Sequence, residues 1–227
     1  MLIGILQCGH FPTAEDFPDR TYSDLYGSLL AGHGLTFQTY SVVDMEFPTG
    51  SDAADGWLIS GSKHGAYDDM PFIPPLEDFI RAAYNGKVPL VGICFGHQII
   101  AQALGGRVEK YSGGWSVGRV EYDFDGETVP LIAWHQDQVV EKPEAARVLA
   151  RTDFCAFAAL AYGEQVLTMQ PHPEFDDAAT ELLLDHRAPG VVPDDVIKAG
   201  RATIGKSLGR DRVAARIVQF FEGAAHV

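Results

Sequence analysis

One cysteine in this sequence lies in a setting that would make its sulfur reactive. Cys94 belongs to the run 92–98, which reads GICFGHQ and places a glycine two residues away on either side. Residues 88–93 predict a buried strand, and the apolar residues after the cysteine recur at helical spacing until a pair of glycines. A thiol at such a strand-to-helix turn is open to a close-lying substrate, and the helix N-terminus stabilises its thiolate. The pattern predicts a nucleophile, whereas a lone cysteine would more simply be a buried structural residue.

A thiolate nucleophile needs a base and a group that orients the base. Residues 170–174 read QPHPE and directly follow a predicted strand at 166–169. The two prolines favour an extended backbone, so His172 and Glu174 are expected to point to the same side. Glu174 could then accept from one ring nitrogen while the other faces the thiol. The alternative is a solvated His-Glu pair on a proline-rich surface loop.

Two rival centres are weaker. A zinc site could use His135, Asp137, His172 and Glu174, but the chain has neither a His-Glu-x-x-His helix nor paired Cys-x-x-Cys motifs. We therefore expect no metal and no cofactor. Residues 200–207 read GRATIGKS and match the phosphate-loop pattern, yet a polar helix is predicted before them where a buried strand is required. We expect a surface loop there.

The composition narrows the class of protein. The chain has 227 residues, 46% of them hydrophobic and 21% charged, with a formal net charge of −14. This charge disfavours binding to nucleic acid or to an anionic membrane surface. No apolar run reaches the roughly 18–20 residues of a membrane helix, and the N-terminus lacks the basic segment of a signal peptide. Three cysteines are too few and too uneven for a disulfide framework, so we expect a cytoplasmic protein.

The order of predicted elements indicates an α/β fold in a single domain spanning residues 1–227. The first half alternates strands and helices, which is typical of a mainly parallel, doubly wound sheet. Its predicted strands are 2–6, 35–43 and 55–60, and its helices before the nucleophile are 22–31 and 74–84. The second half has short apolar runs without helices between them, which favours antiparallel hairpins. These runs are 107–125, 129–138, 148–152, 155–162 and 165–170, and the predicted terminal helices are 176–186, 194–200 and 211–223.

Taken together, residues 92–98 and 171–174 resemble the motifs of the class I (triad) glutamine amidotransferase family. Residues 60–62 (SGS) resemble the family's oxyanion loop, and residues 134–137 (WHQD) resemble the stretch that lines its glutamine pocket. The similarity covers roughly residues 2–185. It implies a flavodoxin-like three-layer sandwich, in which a mainly parallel mixed sheet has helices on both faces and a small antiparallel β addition.

The resemblance also implies roles for individual residues. Cys94, His172 and Glu174 would form a Cys-His-Glu triad that passes through a γ-glutamyl thioester on the sulfur. The backbone N–H groups of Gly61 and Phe95 would stabilise the oxyanion. Four residues would hold the amino and carboxylate groups of the glutamyl substrate: Gln98, Ser62, Trp134 and His135.

The implied activity is hydrolysis of a γ-glutamyl amide, in glutamine or in another small-molecule γ-glutamyl compound. Residues 114–118 (GWSVG) resemble stand-alone members, which include γ-glutamyl peptide hydrolases and relatives of the GMP synthetase glutaminase domain. One alternative is a glutaminase subunit that delivers ammonia to a separate synthetase, and another is a catalytically silent binding module. A synthetase partner and a homo-oligomer both remain open. Pro171 and Trp134 depart from the residues common at these positions in the family.

Overall fold

A seven-stranded sheet forms the centre of the molecule in the computed structural model, which describes residues 1–13 and 20–224. Its strands, in spatial order, are β2 (Thr36–Tyr40), β1 (Leu2–Leu6), β3 (Gly56–Ile59), β4 (Leu90–Ile93), β11 (Val166–Met169), β10 (Ala159–Tyr162) and β9 (Ala146–Ala150). The first five strands are parallel, and β10 and β9 form an antiparallel extension at one edge. The expected mainly parallel mixed sheet is confirmed.

Two small antiparallel pairs extend the structure. They are β5 (Arg107–Lys110) with β8 (Asp137–Glu141), and β6 (Ser116–Phe124) with β7 (Glu127–His135). The turn between β6 and β7 uses Asp125 and Gly126, both at positive φ, as the tight turn of a twisted hairpin requires. The predicted antiparallel addition is therefore present.

Helices cover both faces of the central sheet. They are α1 (Tyr22–Leu29), α2 (Ile73–Asn85), α3 (Phe95–Ala103), α4 (Asp177–His186), α5 (Asp194–Arg201) and α6 (Arg210–Ala224). One core joins α1, α4 and α6 to side chains such as Leu58, while the other joins α2 and α3 to Trp57 and Ile59. Because successive strand residues point to opposite faces, these cores lie on opposite sides of the sheet. The three-layer prediction is confirmed. None of the described helices combines the length and apolar character needed to cross a membrane.

Several predicted boundaries were wrong for local reasons. The predicted strand 35–43 ends at Tyr40, because residues 42–44 form a 3-10 turn. The runs 107–125 and 129–138 each contain parts of two strands, since the chain turns near residues 112–114 and again at Gln136. Similarly, the predicted strand 155–162 begins only at Ala159.

Helix α1 matters for the site because of how its first turn is fixed. Thr21 Oγ1 accepts from the N–H of Asp24 at 3.1 Å, and the Asp24 carboxylate accepts from the N–H of Thr21 at 2.8 Å. This reciprocal cap satisfies N–H groups that the helix itself leaves unpaired. It anchors the turn from which Tyr22 and Tyr26 enter the core.

Candidate active site

Cys94 occupies the turn between β4 and α3 with φ 52° and ψ −103°. A positive φ is uncommon for a residue with a side chain, and such strain concentrates at functional sites. The N–H of Cys94 donates to the carbonyl of Met169 at 2.8 Å, which ties the turn to the end of β11. The cysteine is thus held at a sharp strand-to-helix turn, as the sequence predicted.

The two glycines of the motif are needed for close packing. A Cβ placed on Gly92 would lie 2.6 Å from the carbonyl oxygen of Gly96. One placed on Gly96 would lie 2.2 Å from the carbonyl oxygen of Ile59 in β3. Both distances are far inside van der Waals contact, so the first turn of α3 can approach the sheet only with glycine at these positions.

His172 and Glu174 form a buried pair. The Nδ1 atom of His172 lies 2.7 Å from Oε1 of Glu174, and the two side chains are 2% and 0% exposed. A carboxylate can only accept, so Nδ1 carries a hydrogen that it donates to Glu174. Burial acts to lower the pKa of His172, but the Glu174 carboxylate and the Cys94 thiol beside the ring outweigh it and raise that pKa. Nε2 makes no hydrogen bond to a nitrogen or oxygen atom of the described residues, and it faces the sulfur of Cys94, with which it can exchange a proton.

Two further residues fix this pair in place. Phe175 stacks on the imidazole of His172 with ring centroids 4.0 Å apart and an angle of 5° between the planes. Arg210, the first residue of α6, donates from Nε to the carbonyl of Pro173 at 2.8 Å and from Nη2 to the carbonyl of Glu174 at 3.1 Å. The ring plane and the loop backbone are therefore held by separate contacts.

Tyr26 links the acid to the loop after β3. Its hydroxyl donates to Oε1 of Glu174 at 3.1 Å and accepts from the N–H of Gly61 at 3.4 Å. The N–H of Gly61, which the family resemblance assigns to the oxyanion, is thus paired with the tyrosine hydroxyl that α1 brings to it. Ser62, the next residue, lines a cavity that Cys94 also borders.

A cavity of about 440 Å³ opens beside the cysteine. Its volume lies in the range of pockets that enclose small-molecule ligands, roughly 300–1,000 Å³. The lining includes Cys94 and all four residues predicted to bind substrate, namely Ser62, Gln98, Trp134 and His135. The structure therefore brings the predicted nucleophile and substrate residues to one place.

Two of these residues have side-chain atoms already engaged. Nε2 of Gln98 donates to the carbonyl of Asp137 at 2.9 Å and to Oε1 of Gln170 at 3.0 Å, so its amide oxygen is the atom left for a ligand. The hydroxyl of Ser62 donates to the carbonyl of Cys8 at 2.7 Å. Ser62 therefore holds its loop with its side chain, and only its backbone is left for the substrate.

The stretch from the end of β7 into β8 supplies the opposite wall. Burial lowers the pKa of His135 to about 3, so its ring is neutral. Nδ1 of His135 lies 3.2 Å from the carbonyl of Asp137, which makes the buried Nε2 an acceptor without a partner among the described residues. The Asp137 carboxylate accepts from the Tyr67 hydroxyl at 3.0 Å, and the carbonyl of Trp134 lies 4.0 Å from Sγ of Cys94.

The rival centres do not assemble. Among residues 1–13 and 20–224, no group of three or more His, Cys, Asp or Glu side chains is placed to hold a metal ion. The phosphate-loop look-alike begins inside α5 and follows no strand, and Gly200 packs against Val117 of β6. Arg119 donates to the carbonyl of Ser207 at 2.9 Å, which ties the segment to the same strand. The expectation of a loop without the phosphate-binding context is confirmed.

Sequence reasoning missed the residues that support the pair. Tyr26 lies within the predicted helix 22–31, whose pattern gives it no role at the site, and Phe175 and Arg210 belong to no motif. Spacing on a helix shows which side chains are buried, but it does not show which distant hydrogen-bond acceptor a buried hydroxyl will meet. No signal within the sequence would have identified the contacts of Arg210.

Comparison with known proteins bears on this site. The family model for glutamine amidotransferase class-I matches residues 33–183. Gamma-glutamyl peptidase 4 of Arabidopsis thaliana is 32% identical over 213 residues, which cover 85% of this chain and 85% of that protein. One subunit of the glutamine-hydrolyzing GMP synthase of Methanopyrus kandleri is 34% identical over 140 residues, covering 54% of this chain and 68% of that subunit.

Solved structures share the fold. The glutamine amidotransferase of Methylobacillus flagellatus aligns with a TM-score of 0.68 at 22% identity, covering 100% of this chain and 91% of that one. A glutamine amidotransferase of Thermotoga maritima aligns with a TM-score of 0.70 at 18% identity, covering 99% and 94%. From the matched family model and the identity to its relatives, this chain belongs to the class-I glutamine amidotransferase family.

Proposed function

We propose that this chain hydrolyses the γ-amide bond of a γ-glutamyl compound through a thioester on Cys94. The observation that carries the proposal is the arrangement of three residues, of which Cys94 lines the cavity and the other two lie buried behind it. Cys94 lies at a strained turn that opens on the cavity, and beside it His172 is bound through Nδ1 to the buried Glu174. The relatives that are named gamma-glutamyl peptidases support the same chemistry.

In the first half of the reaction, the proton of Cys94 is held on Nε2 of His172, because the raised pKa of the ring favours its charged form, and Sγ attacks the γ-carbonyl carbon as the thiolate. The tetrahedral intermediate then collapses, the carbon–nitrogen bond breaks, and the imidazolium gives its proton to the departing amine. Glu174 keeps the ring in the tautomer that this transfer needs and stabilises the imidazolium. The raised pKa of His172 favours the charged ring that donates the proton.

Backbone N–H groups at the turn are suited to the negative charge of the intermediate. Phe95 is the first residue of α3, so its N–H is one of those that a helix leaves unpaired. We assign the second donor to Ser62, because the N–H of Gly61 is donated to Tyr26. By analogy with other acyl-transfer enzymes, one such donor lowers the barrier by about 3 kcal/mol.

In the second half, water attacks the thioester carbon and gives a proton to His172. The carbon–sulfur bond breaks, the proton returns to the sulfur, and the γ-carboxylate of the product is released. The neutral His135 and the carboxylate of Asp137 are both acceptors, which suits them to the α-ammonium group of the glutamyl half. The substrate would then be held by its amino group at one wall of the cavity.

The test is to offer the purified chain glutamine and a set of γ-glutamyl peptides and amines, and to follow glutamate release. With a slow substrate quenched in acid, intact mass should show a γ-glutamyl adduct on Cys94. The variant Cys94→Ser should lose turnover and the adduct. Full activity in that variant on every compound would overturn the nucleophile assignment, and binding without turnover in the parent protein would favour a silent binding module.

A glutaminase subunit that feeds a synthetase is the second candidate, favoured by the similarity to one subunit of a GMP synthase. That alignment covers 54% of this chain, whereas the alignment to gamma-glutamyl peptidase 4 covers 85%. The broader match supports the self-sufficient hydrolase. The two candidates differ in whether the isolated chain turns over, so the same assay separates them.

A further inference from the structure

Three basic side chains line the catalytic cavity of this acidic protein. The chain has 17 Lys and Arg residues against 31 Asp and Glu residues, yet Lys63, Lys110 and Arg187 all border the cavity that contains Cys94. None of the three forms a salt bridge with another residue in the described part of the chain. A cavity whose positive charges are not neutralised by nearby carboxylates attracts an anionic ligand, and here it does so within an acidic protein.

These cations lie in two different parts of the cavity. Lys110 lies near Asp137. Burial raises the pKa of the Asp137 carboxyl group, and the positive charge of Lys110 lowers it. Gln98 donates to the carbonyl of the same Asp137 at 2.9 Å, and Tyr67 donates to its carboxylate at 3.0 Å. This part contains the residues that we assign to the glutamyl half of the substrate.

Lys63 and Arg187 belong to the other part. Burial lowers the pKa of His64, a third residue of the cavity wall, and the charges of Lys63 and Arg187 lower this pKa further while Asp68 opposes them. Arg187 also lies close enough to Tyr22 to act on the pKa of that hydroxyl. Both cations therefore border the side of the cavity next to the loop after β3.

That side is also the side of the general acid. A Cβ placed on Gly61 would lie 3.3 Å from the Tyr22 ring and 3.2 Å from Cε1 of His172. Since His172 gives its proton to the departing amine, the leaving half of the substrate must extend toward this side.

We propose that Lys63 and Arg187 form a subsite for a carboxylate carried by the leaving half of the substrate. This inference rests on the proposed function and names its substrate class: γ-glutamyl amino acids and peptides with a free carboxylate, in preference to glutamine and γ-glutamyl amines. The planar guanidinium of Arg187 can bind both oxygens of a carboxylate, and the ammonium of Lys63 adds a second charge. Water remains the acceptor, and the leaving amine departs with its carboxylate intact.

A pair of substrates that differ only in that charge tests the proposal. In γ-glutamylglycine the leaving half ends in a carboxylate, and in γ-glutamylglycinamide the same position is a neutral amide. The parent enzyme should show a higher kcat/KM for the acid. Lys63→Gln and Arg187→Gln should each lower kcat/KM for the acid by about 10-fold, the size expected for losing one charge-assisted contact, and should change the amide little. The preference of the parent should also weaken at high salt.

The matched control is Lys206→Gln, which removes one positive charge from an exposed residue outside the cavity. It should leave the acid-to-amide ratio unchanged. If Lys63→Gln and Arg187→Gln reduce both substrates equally, the cations bind the α-carboxylate of the glutamyl half and the subsite is refuted. An unchanged ratio in both variants would refute it as well.

Failure of the proposed function would give a different result. In that case the parent would release glutamate from neither compound. The same comparison is then made by calorimetry with Cys94→Ser protein, with and without Arg187→Gln. Tighter binding of the acid that is lost with Arg187→Gln supports the subsite, and equal binding of acid and amide overturns it.

Discussion

The hydroxyl of Tyr26 offers a sharp test of how the buried acid is held. It donates to Oε1 of Glu174 at 3.1 Å and accepts from the N–H of Gly61 at 3.4 Å. The same Oε1 lies 2.7 Å from Nδ1 of His172. Replacement by phenylalanine keeps the ring in the core and removes both hydrogen bonds. It therefore perturbs the orientation of the acid and of the loop without changing any residue that lines the cavity.

The size of the effect follows from the charge on the acceptor. A hydrogen bond to a charged group contributes about 1.5–3 kcal/mol, and each 1.36 kcal/mol in a barrier changes the rate about tenfold. Tyr26→Phe should therefore lower kcat by about 10- to 100-fold, with KM changed by less than about threefold because substrate contacts persist. Without the tyrosine, the Glu174 carboxylate acts more strongly on His172, so the pKa of His172 should rise and the alkaline limb of the kcat profile should move to higher pH.

The assay is glutamate release across pH, with thermal unfolding as a check that the variant folds. Tyr162→Phe is the matched control, because the buried hydroxyl of Tyr162 has no hydrogen-bond partner among the described residues and its ring belongs to the core on the other face of the sheet. This control should keep the parental kcat and pH profile. The reasoning is refuted if Tyr26→Phe behaves like the parent, or if both variants lose activity to the same extent.

Three further predictions concern the acid, the turn and the loop. Because the Glu174 carboxylate does most to raise the pKa of His172 against burial, Glu174→Gln should lower that pKa in an NMR titration of the ring. In the parent, the charged ring stabilises the fold fully below pH 6.5, and this stabilisation is lost as the pH rises through the raised pKa. An unchanged pKa of His172 in the variant would contradict the assignment. Gly96→Ala places a Cβ 2.2 Å from a backbone oxygen of β3 and should lower the free energy of unfolding by more than the roughly 1–3 kcal/mol of ordinary overpacking. In Gly27→Ala the new Cβ meets nothing within 4 Å, so this variant should raise the free energy of unfolding by about 0.4–1 kcal/mol. Denaturant unfolding compares the two variants, and equal stabilities would contradict the packing explanation. Arg210→Gln should lower kcat by about 10-fold with little change in KM, because it removes two hydrogen-bond donors to the backbone of Pro173 and Glu174. An unchanged kcat would show that this loop keeps its conformation without Arg210.

Local patterns in the sequence were sufficient for the parts of the site that depend on neighbouring residues. The glycine spacing around Cys94 predicted a sharp turn, and the structure gives the reason, since a Cβ on either glycine would lie 2.2–2.6 Å from a backbone carbonyl oxygen. The pairing of His172 with Glu174 was predicted from an extended backbone, but residues 173 and 174 form a turn, in which the N–H of Phe175 donates to the carbonyl of His172 at 3.4 Å. Period and composition likewise predicted a mainly parallel sheet with an antiparallel addition.

The meeting of the nucleophile and the base depended on strand order. Strand β4 ends at Ile93 and β11 ends at Met169, and these two residues are partners in parallel pairing. Parallel neighbours end at the same edge of a sheet, so Cys94 and the loop with His172 emerge side by side. The sequence showed that each follows a strand, but the adjacency of those strands is a property of the folded sheet.

The remaining parts were decided by contacts between segments that are distant in sequence. The hydroxyl of Tyr26 reaches Glu174 across 148 positions, and it takes the N–H of Gly61 that the family resemblance had assigned to the oxyanion. Arg210 reaches the triad loop from the last helix. The sequence by itself therefore determined the chemistry that we propose, because reactive groups depend on residue type and local backbone geometry. Only the tertiary structure decided which groups hold that chemistry in place, because those partners are set by the packing of helices on the sheet.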